Sequence, residues 1–136
     1  MTRPAAPGRS SLSREAFELE ADTIRVLANP TRLMIMTLLG EGAKTVTELS
    51  TTLDVTLPNV SQHLRMMRDR RIVRSTRTGR TVRYELTNPT FSKCCALVRQ
   101  VILEEAGKQE RKLRAGHGGH LRATPAPREV LGASVG

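Results

Sequence analysis

The chain has 136 residues and a formal charge of +9, and only 2% of its residues are aromatic. This length fits one domain with a modest aliphatic core, and the charge favours a polyanionic partner. The only two cysteines are adjacent, which excludes a secreted disulfide framework. Because no stretch resembles a signal peptide or a membrane span, we expect a cytoplasmic protein that does not enter a membrane.

Both ends of the chain differ in composition from its middle. Residues 1–12 are rich in Pro, Ala, Gly and Ser, and residues 115–136 are rich in Gly, Ala, Pro and His. We expect a disordered arm and a disordered tail there, with one folded domain at residues 13–114 between them. His117 and His120 form a His-x-x-His pair in the tail, which is a weak metal-binding candidate.

The first two predicted helices lie at residues 13–28 and 30–39. Apolar residues at helical spacing give the first helix one stripe, formed by Phe17, Ile24 and Leu27. Asn29-Pro30 combines a capping residue with a proline at the first helical position, and Gly40 ends the second helix. That helix is apolar almost all round, which indicates burial.

A helix, a short turn and a second helix are predicted next. Thr45 and Glu48 have the spacing of a capping box at the start of the third helix. Asp54 and Val55 leave only a short turn before Thr56, the expected N-cap of the fourth helix. Two helices joined in this way are typical of a helix-turn-helix.

The fourth helix divides into two faces at about 100° per residue. Its predicted core side consists of Leu57, Val60, Leu64 and Met67. Its outer side carries the amides of Asn59 and Gln62 and the guanidinium of Arg65. Amides can pair with adenine in two hydrogen bonds, and arginine can do so with guanine. An ordinary solvated helix face would look the same.

The segment that follows is strongly basic. From residue 65 to residue 83 there are eight arginines and one acid, a surplus of seven within the total of +9. Residues 72–77 and 81–86 are predicted to be strands, and Thr78-Gly79 is predicted to form the turn of their hairpin. A basic hairpin that follows a helix-turn-helix is called a wing, and the concentration of charge on it favours nucleic acid as the partner. We expect phosphate contacts from Arg77, Arg80 and Arg83.

The stretch from Val26 to Leu86 resembles the ArsR/SmtB-type winged-helix repressors. The motifs that carry the resemblance are LANPTRL at 27–33, VTEL at 46–49, VSQHL at 60–64, RIVR at 71–74 and GRTVRYEL at 79–86. The resemblance implies a mainly α fold with about five helices and a two-stranded wing. It also implies a homodimer, joined through its first and last helices, that represses transcription and releases DNA when an effector binds.

From this resemblance, the fourth helix is expected to supply the DNA contacts. Asn59, Gln62 and Arg65 are candidates for base edges or nearby phosphates, and Ser61 is a candidate for the phosphate backbone. His63 matches a histidine of the family and is either a phosphate contact or a satisfied structural histidine.

The last helix is predicted from Pro89 to about Arg111, with an apolar stripe of Phe91, Cys95, Val98 and Ile102. The resemblance places effector sites at positions that lack ligating residues here. Members of the family that sense arsenic carry cysteines in the third helix where this chain has Thr45 and Thr47, and members that sense persulfides carry one in the second helix where this chain has Thr37. Of the positions that form the family's zinc-type site in the last helix, only Glu104 could ligate a metal here.

Cys94 and Cys95 remain as candidates for an effector site. Their Cα atoms lie about 3.8 Å apart, which is too close for a relaxed disulfide within an intact helix. The two thiols could bind a thiophilic metal or arsenite, or react with an oxidant, and Lys93 and Arg99 could lower their pKa. Alternatively, Cys95 is a small core residue and Cys94 a tolerated neighbour.

Two other classes of function compete with a repressor. An architectural protein that coats DNA without sequence preference could use the same wing, and the affinity ratio between an operator and random DNA separates the two. An enzyme is poorly supported, because no acid–base pair or glycine-rich loop stands out.

Overall fold

The structure, a computed structural model, describes residues 13–116. The predicted arm at residues 1–12 and the tail from residue 117 onwards, with His117 and His120, lie outside the described residues. The described part has five helices and one hairpin, in the order α1 (Arg14–Leu27), α2 (Pro30–Leu39), α3 (Val46–Leu53), α4 (Leu57–Asp69), β1 (Val73–Thr78), β2 (Thr81–Leu86) and α5 (Thr90–Gly116). The predicted mainly α class with a two-stranded wing is confirmed.

Two helices, α2 and α3, begin at side-chain caps that the sequence predicts, and α1 begins at a further cap, Ser13. The side chain of Ser13 accepts a hydrogen bond from the backbone of α1, and that of Asn29 accepts one from α2 just before Pro30. Thr45 and Glu48 complete both halves of the capping box at α3. These bonds satisfy N–H groups that have no partner inside the helix, which fixes where each helix starts.

The core is aliphatic and draws on every element except α5. Its fully buried side chains include Ile35, Met36, Leu49, Val60, Leu64, Met67, Ile72 and Val73. The burial predicted for α2 is confirmed. The prediction for Leu57 is wrong, because the first turn of α4 lies at the surface and leaves this side chain 47% exposed.

Two helices keep much of their apolar surface uncovered within one chain. In α1 only Leu27 is buried, while Phe17 and Ile24 are more than half exposed. In α5 no residue is fully buried, although Phe91 and Cys95 pack against the edge of the core. The helix also ends at Gly116 rather than near Arg111, and an ion pair between Glu110 and Arg114 supports its last turns. Within residues 13–116, no helix combines the length and apolarity needed to cross a membrane.

The hairpin turn lies one residue later than predicted. Thr78 pairs with Thr81, so the two turn residues are Gly79 and Arg80 rather than Thr78 and Gly79. Gly79 has φ of 63°, a value that suits the first central residue of a type II′ turn and that glycine adopts without steric cost. Lys44, just before α3, exchanges two backbone hydrogen bonds with Tyr84 and so attaches the wing to the helices.

The junction between α4 and β1 is a Schellman motif. The N–H of Ile72 donates to the carbonyl of Met67, and the N–H of Arg71 donates to that of Arg68. Arg71 sits at the left-handed position of the motif with φ of 57°. A side chain with a Cβ is disfavoured there, so this arginine carries backbone strain that a glycine would not.

Candidate nucleic-acid interface

A tight turn sets the relation between α3 and α4. Asp54 takes a left-handed conformation with φ of 53°, and the N–H of Val55 donates to the carbonyl of Ser50. The hydroxyl of Ser50 donates in turn to the carbonyl of Val55. Asp is one of the few residues that tolerate this conformation, which lets the chain reverse within three residues and begin α4 at Leu57.

The outward side of α4 presents polar groups that the rest of the described chain leaves free. Asn59, Gln62 and Arg65 are all exposed, and none of their side chains forms a hydrogen bond or ion pair with another residue between 13 and 116. Ser61 is also exposed, towards the neighbouring side of the helix. The structure thus brings the four predicted contact residues to one accessible surface, where amides and a guanidinium can meet base edges or phosphates.

His63 lies apart from this surface, on the side of α4 that faces α2. Its Nδ1 atom is 3.1 Å from Nη1 of Arg32. Burial disfavours the charged ring and Arg32 repels it, so the pKa of His63 lies below its ordinary value. The ring therefore has a protein partner at one nitrogen, and a phosphate would have to be contacted by the other.

The eight arginines of the basic segment fall into two groups. Three of them form ion pairs: Arg70 with Asp22, Arg74 with Glu85 and Arg83 with Glu48. The others form none with any described residue, and they are Arg65, Arg68, Arg71, Arg77 and Arg80. Free guanidinium groups can neutralise phosphates without first losing a protein partner, so Arg68 and Arg71 join the candidates that the sequence suggested.

The register of the wing separates the predicted phosphate contacts. Arg77 pairs with Val82 and Thr76 pairs with Arg83, and successive pairs of an antiparallel ladder face opposite sides. Arg77 and Arg83 therefore lie on opposite faces, and Arg80 is at the tip. A hairpin lying in a groove has a sugar-phosphate strand on each side, so the two faces would address different strands.

Cys94 and Cys95 lie in different surroundings on α5. Cys94 is exposed, whereas Cys95 is partly buried against the core. Burial raises the pKa of Cys95, Cys94 raises it further, and Arg99 only partly opposes this. The predicted lowering by nearby cations is therefore wrong for Cys95. Among residues 13–116, no three His, Cys, Asp or Glu side chains are grouped to hold a metal ion.

Comparison with known proteins agrees with this architecture. Residues 29–75 match the model of the bacterial regulatory protein, arsR family. The chain is 32% identical to the HTH-type transcriptional regulator KmtR of Mycobacterium tuberculosis over 133 residues, which cover 96% of this chain and 95% of that one. The chain belongs to the ArsR/SmtB family. It is therefore a DNA-binding transcriptional regulator and not an enzyme, as the sequence predicted.

Two further members of the family show how widely the likeness extends. The HTH-type transcriptional regulator NmtR of Mycobacterium tuberculosis is 38% identical over 84 residues, which cover 62% of this chain and 67% of that one. The crystal structure of AntR, an antimony-specific transcriptional repressor, superposes with a TM-score of 0.62 at 28% identity. It covers 79% of this chain and 97% of the other. The likeness thus reaches well beyond the helix-turn-helix.

Sequence reasoning missed the part played by Arg32. Arg32 belongs to the LANPTRL motif at the start of α2, but its partner His63 is 31 positions further along the chain. No local pattern of charge or periodicity joins two such residues, because their contact depends on how α2 and α4 pack. The sequence signal is that Arg32 is the only charged residue of α2.

Proposed function

We propose that the protein is a homodimeric repressor that recognises an operator through α4 and holds the DNA backbone with its wing. The observation that carries the proposal is the exposed face of α4, where Asn59, Gln62 and Arg65 have no partner among the described residues. The unpaired arginines at the end of α4 and along the wing support it. Phosphate contacts from these groups would orient the helix, and the amides would read the bases.

The exposed apolar surface of α1 and α5 supports a dimer. The exposed members are Phe17, Ile24, Leu97, Val98, Val101 and Ile102. Burying such a side chain completely contributes about 1.5–3 kcal/mol, and each of these has only about half of its surface left to cover. The gain summed over two symmetric copies opposes the entropic cost of association and favours a dimer. Two α4 helices would then face successive major grooves, about one helical turn apart.

A pair of variants tests the proposal against a nonspecific, architectural role. Gln62→Ala should weaken binding to an operator selected from a random DNA pool by about 1–3 kcal/mol, with little change on unselected DNA. Arg80→Ala should weaken both alike and reduce the salt dependence of binding. If Gln62→Ala weakens binding to selected and unselected DNA equally, the protein coats DNA without reading it.

The effector proposed for this repressor is a thiophilic metal, a metalloid such as arsenite, or an oxidant that acts at Cys94 and Cys95. Support comes from the two thiols on α5 and from the relative described as antimony-specific. Cys94 is exposed on the same helix as Leu97, Val98 and Val101, so a dimer formed through this surface would bring two copies of Cys94 towards each other. A repressor with no thiol effector is the alternative.

Because the partner is chromosomal DNA, the proposal includes a cytoplasmic location.

A further inference from the structure

One guanidinium joins three helices behind the DNA-reading surface. Arg32 lies in the first turn of α2, where its own N–H is capped by Asn29. Its Nε donates to the carbonyl of Val26 in the last turn of α1. Its Nη1 lies 3.1 Å from Nδ1 of His63 and 3.5 Å from Sδ of Met66, both on α4. The end of α1, the start of α2 and the middle of α4 therefore share a single side chain.

The chemistry of this contact fixes the state of the histidine. A guanidinium only donates hydrogen bonds, so Nδ1 of His63 must accept and cannot carry a proton. The ring is then neutral, with its single proton on Nε2. Burial and the charge of Arg32 both disfavour protonation of His63, which agrees with this assignment. The hydrogen bond from Arg32 to Val26 is also favourable, because the carbonyl of Val26 lies in the last turn of α1, where carbonyls lack helical partners and attract a cation.

We propose that Arg32 is a positioning residue for DNA recognition, which sets α4 relative to α1 by donating to His63 and Val26 at once. This inference rests on the proposed function, in which α4 reads the operator and α1 belongs to the dimer contact. The distance between the two α4 helices of a dimer must match the DNA groove repeat. The two hydrogen bonds of Arg32 link α1 to α4 through α2, and so transmit the geometry of the dimer to the reading helix. Lysine could not replace Arg32, because its ammonium lacks the planar fork that reaches separate acceptors.

The histidine itself offers a matched pair of test variants. In His63→Asn, the amide oxygen takes the place of Nδ1 and can still accept from Arg32, while the Nε2 proton is lost. In His63→Gln, the polar group lies near the place of Nε2, and the acceptor for Arg32 is lost. If Arg32 positions α4, His63→Gln weakens binding to a selected operator by about tenfold, as expected for a lost charged hydrogen bond. His63→Asn then weakens it clearly less. If His63 acts only by donating from Nε2 to phosphate, the order is reversed.

Three further measurements complete the test on the full chain. Nitrogen-15 NMR of the free protein should show His63 with its proton on Nε2, assigned by the signal that disappears in His63→Gln. In Arg32→Gln, the charge that disfavours a protonated ring is lost, so the pKa of His63 should rise, and operator affinity should fall about tenfold. The double variant Arg32→Gln, His63→Gln should lose no more operator affinity than the weaker-binding of the two single variants, because both substitutions remove the same hydrogen bond between Arg32 and His63. Circular dichroism should show all variants folded.

The outcomes separate this inference from the proposed function. A proton on Nδ1 in the wild type, or additive losses in the double variant, would overturn the positioning role of Arg32 even if the operator is bound tightly. Equal affinity of the wild type for selected and unselected DNA would instead remove the proposed function. The rise in the pKa of His63 that is expected in Arg32→Gln would still report whether Arg32 lies beside the ring.

Discussion

The guanidinium of Arg83 in the wing lies beside the carboxylate of Glu48 in the first turn of α3, with 3.8 Å between Nη1 and Oε2. The same Oε2 atom accepts the N–H of Thr45 in the capping box. Both side chains of the ion pair are about half exposed, so the pair contributes little stability, about 0–1 kcal/mol. Its consequence is electrostatic, because a carboxylate neutralises one of the arginines proposed to meet phosphate.

Glu48→Gln should therefore strengthen binding to DNA. Glutamine can keep the capping box, so the helix start is preserved while the negative charge is lost. We expect a severalfold higher affinity for unselected DNA at low salt. Binding should also release up to about one more counterion, which makes the affinity fall more steeply as the salt concentration rises. Glu18→Gln makes the same change beside Arg14 on α1 and serves as the control. Equal gains in the two variants would mean that total charge, and not the release of Arg83, raises the affinity.

Ile102→Glu should yield a folded monomer. Ile102 is 55% exposed in the single chain, so the charge does not enter the core, but it would enter the proposed dimer contact twice by symmetry. Leu19→Glu is the matched control, since Leu19 is 67% exposed and points away from the Phe17–Ile24 side of α1. Sedimentation should show a dimeric wild type and control at micromolar concentration. A monomeric wild type would refute the dimer.

Arg71→Gly should stabilise the fold and weaken DNA binding in one step. Glycine relieves the left-handed strain at φ of 57°, and we expect a gain of roughly 0.5–1 kcal/mol in urea denaturation. The lost guanidinium should lower affinity for selected and unselected DNA alike. Arg71→Ala keeps the strain and loses the charge, so it should lower affinity equally without the gain in stability. A similar gain in Arg71→Ala would exclude backbone strain as the cause.

The sequence predicted those features of the fold that depend on neighbouring residues. The capping box of Thr45 and Glu48, the cap and proline at Asn29-Pro30 and the end of α2 near Gly40 all involve residues within a few positions of one another. The helical spacing of apolar residues in α4 correctly predicted that Val60, Leu64 and Met67 are in the core, because the helical period fixes which side chains share a face.

The features that sequence reasoning missed depend on packing between distant segments. Leu57 fits the apolar period of α4, yet no neighbouring element covers the first turn of that helix. The contact between Arg32 and His63 and the pairing of Arg83 with Glu48 join residues far apart in the chain. The pKa of Cys95 also could not be inferred from the cations beside it, because burial outweighs Arg99.

The stability of the protein should depend on pH through His63. Its folded pKa is below the ordinary value of about 6.5, so the unfolded chain binds the proton more tightly. The free energy of unfolding should fall as pH drops from about 6.5 through the lowered pKa, and then level off when both states are protonated. His63→Gln removes this contribution. Urea titrations of both proteins from about pH 7 to about pH 5 should therefore diverge, and parallel curves would contradict the lowered pKa.

The two thiols should differ in reactivity. Cys94 is exposed, whereas Cys95 is partly buried and its pKa is raised, so less of Cys95 is thiolate at neutral pH. Because the thiolate is the nucleophile, the Cys95→Ser protein should be alkylated by iodoacetamide faster than the Cys94→Ser protein, by about tenfold. Mass spectrometry over time measures both rates. Equal rates in the native proteins, with the same rates in urea, would show that the fold does not distinguish the thiols.

The double variant Cys94→Ser, Cys95→Ser decides whether these thiols sense anything. It should bind a selected operator like the wild type, because neither cysteine lies on α4 or the wing. Arsenite, as the probe of a thiophilic effector, should release the wild type but not the double variant, and a coupling of about 1–3 kcal/mol between the sites is enough for release. Cys94→Ser alone should lose the response if two copies of Cys94 meet at the dimer contact, while Cys95→Ser should retain part of it. Release of the double variant by arsenite at the wild-type concentration would show that the thiols are structural, with Cys95 serving only as a small side chain against the core.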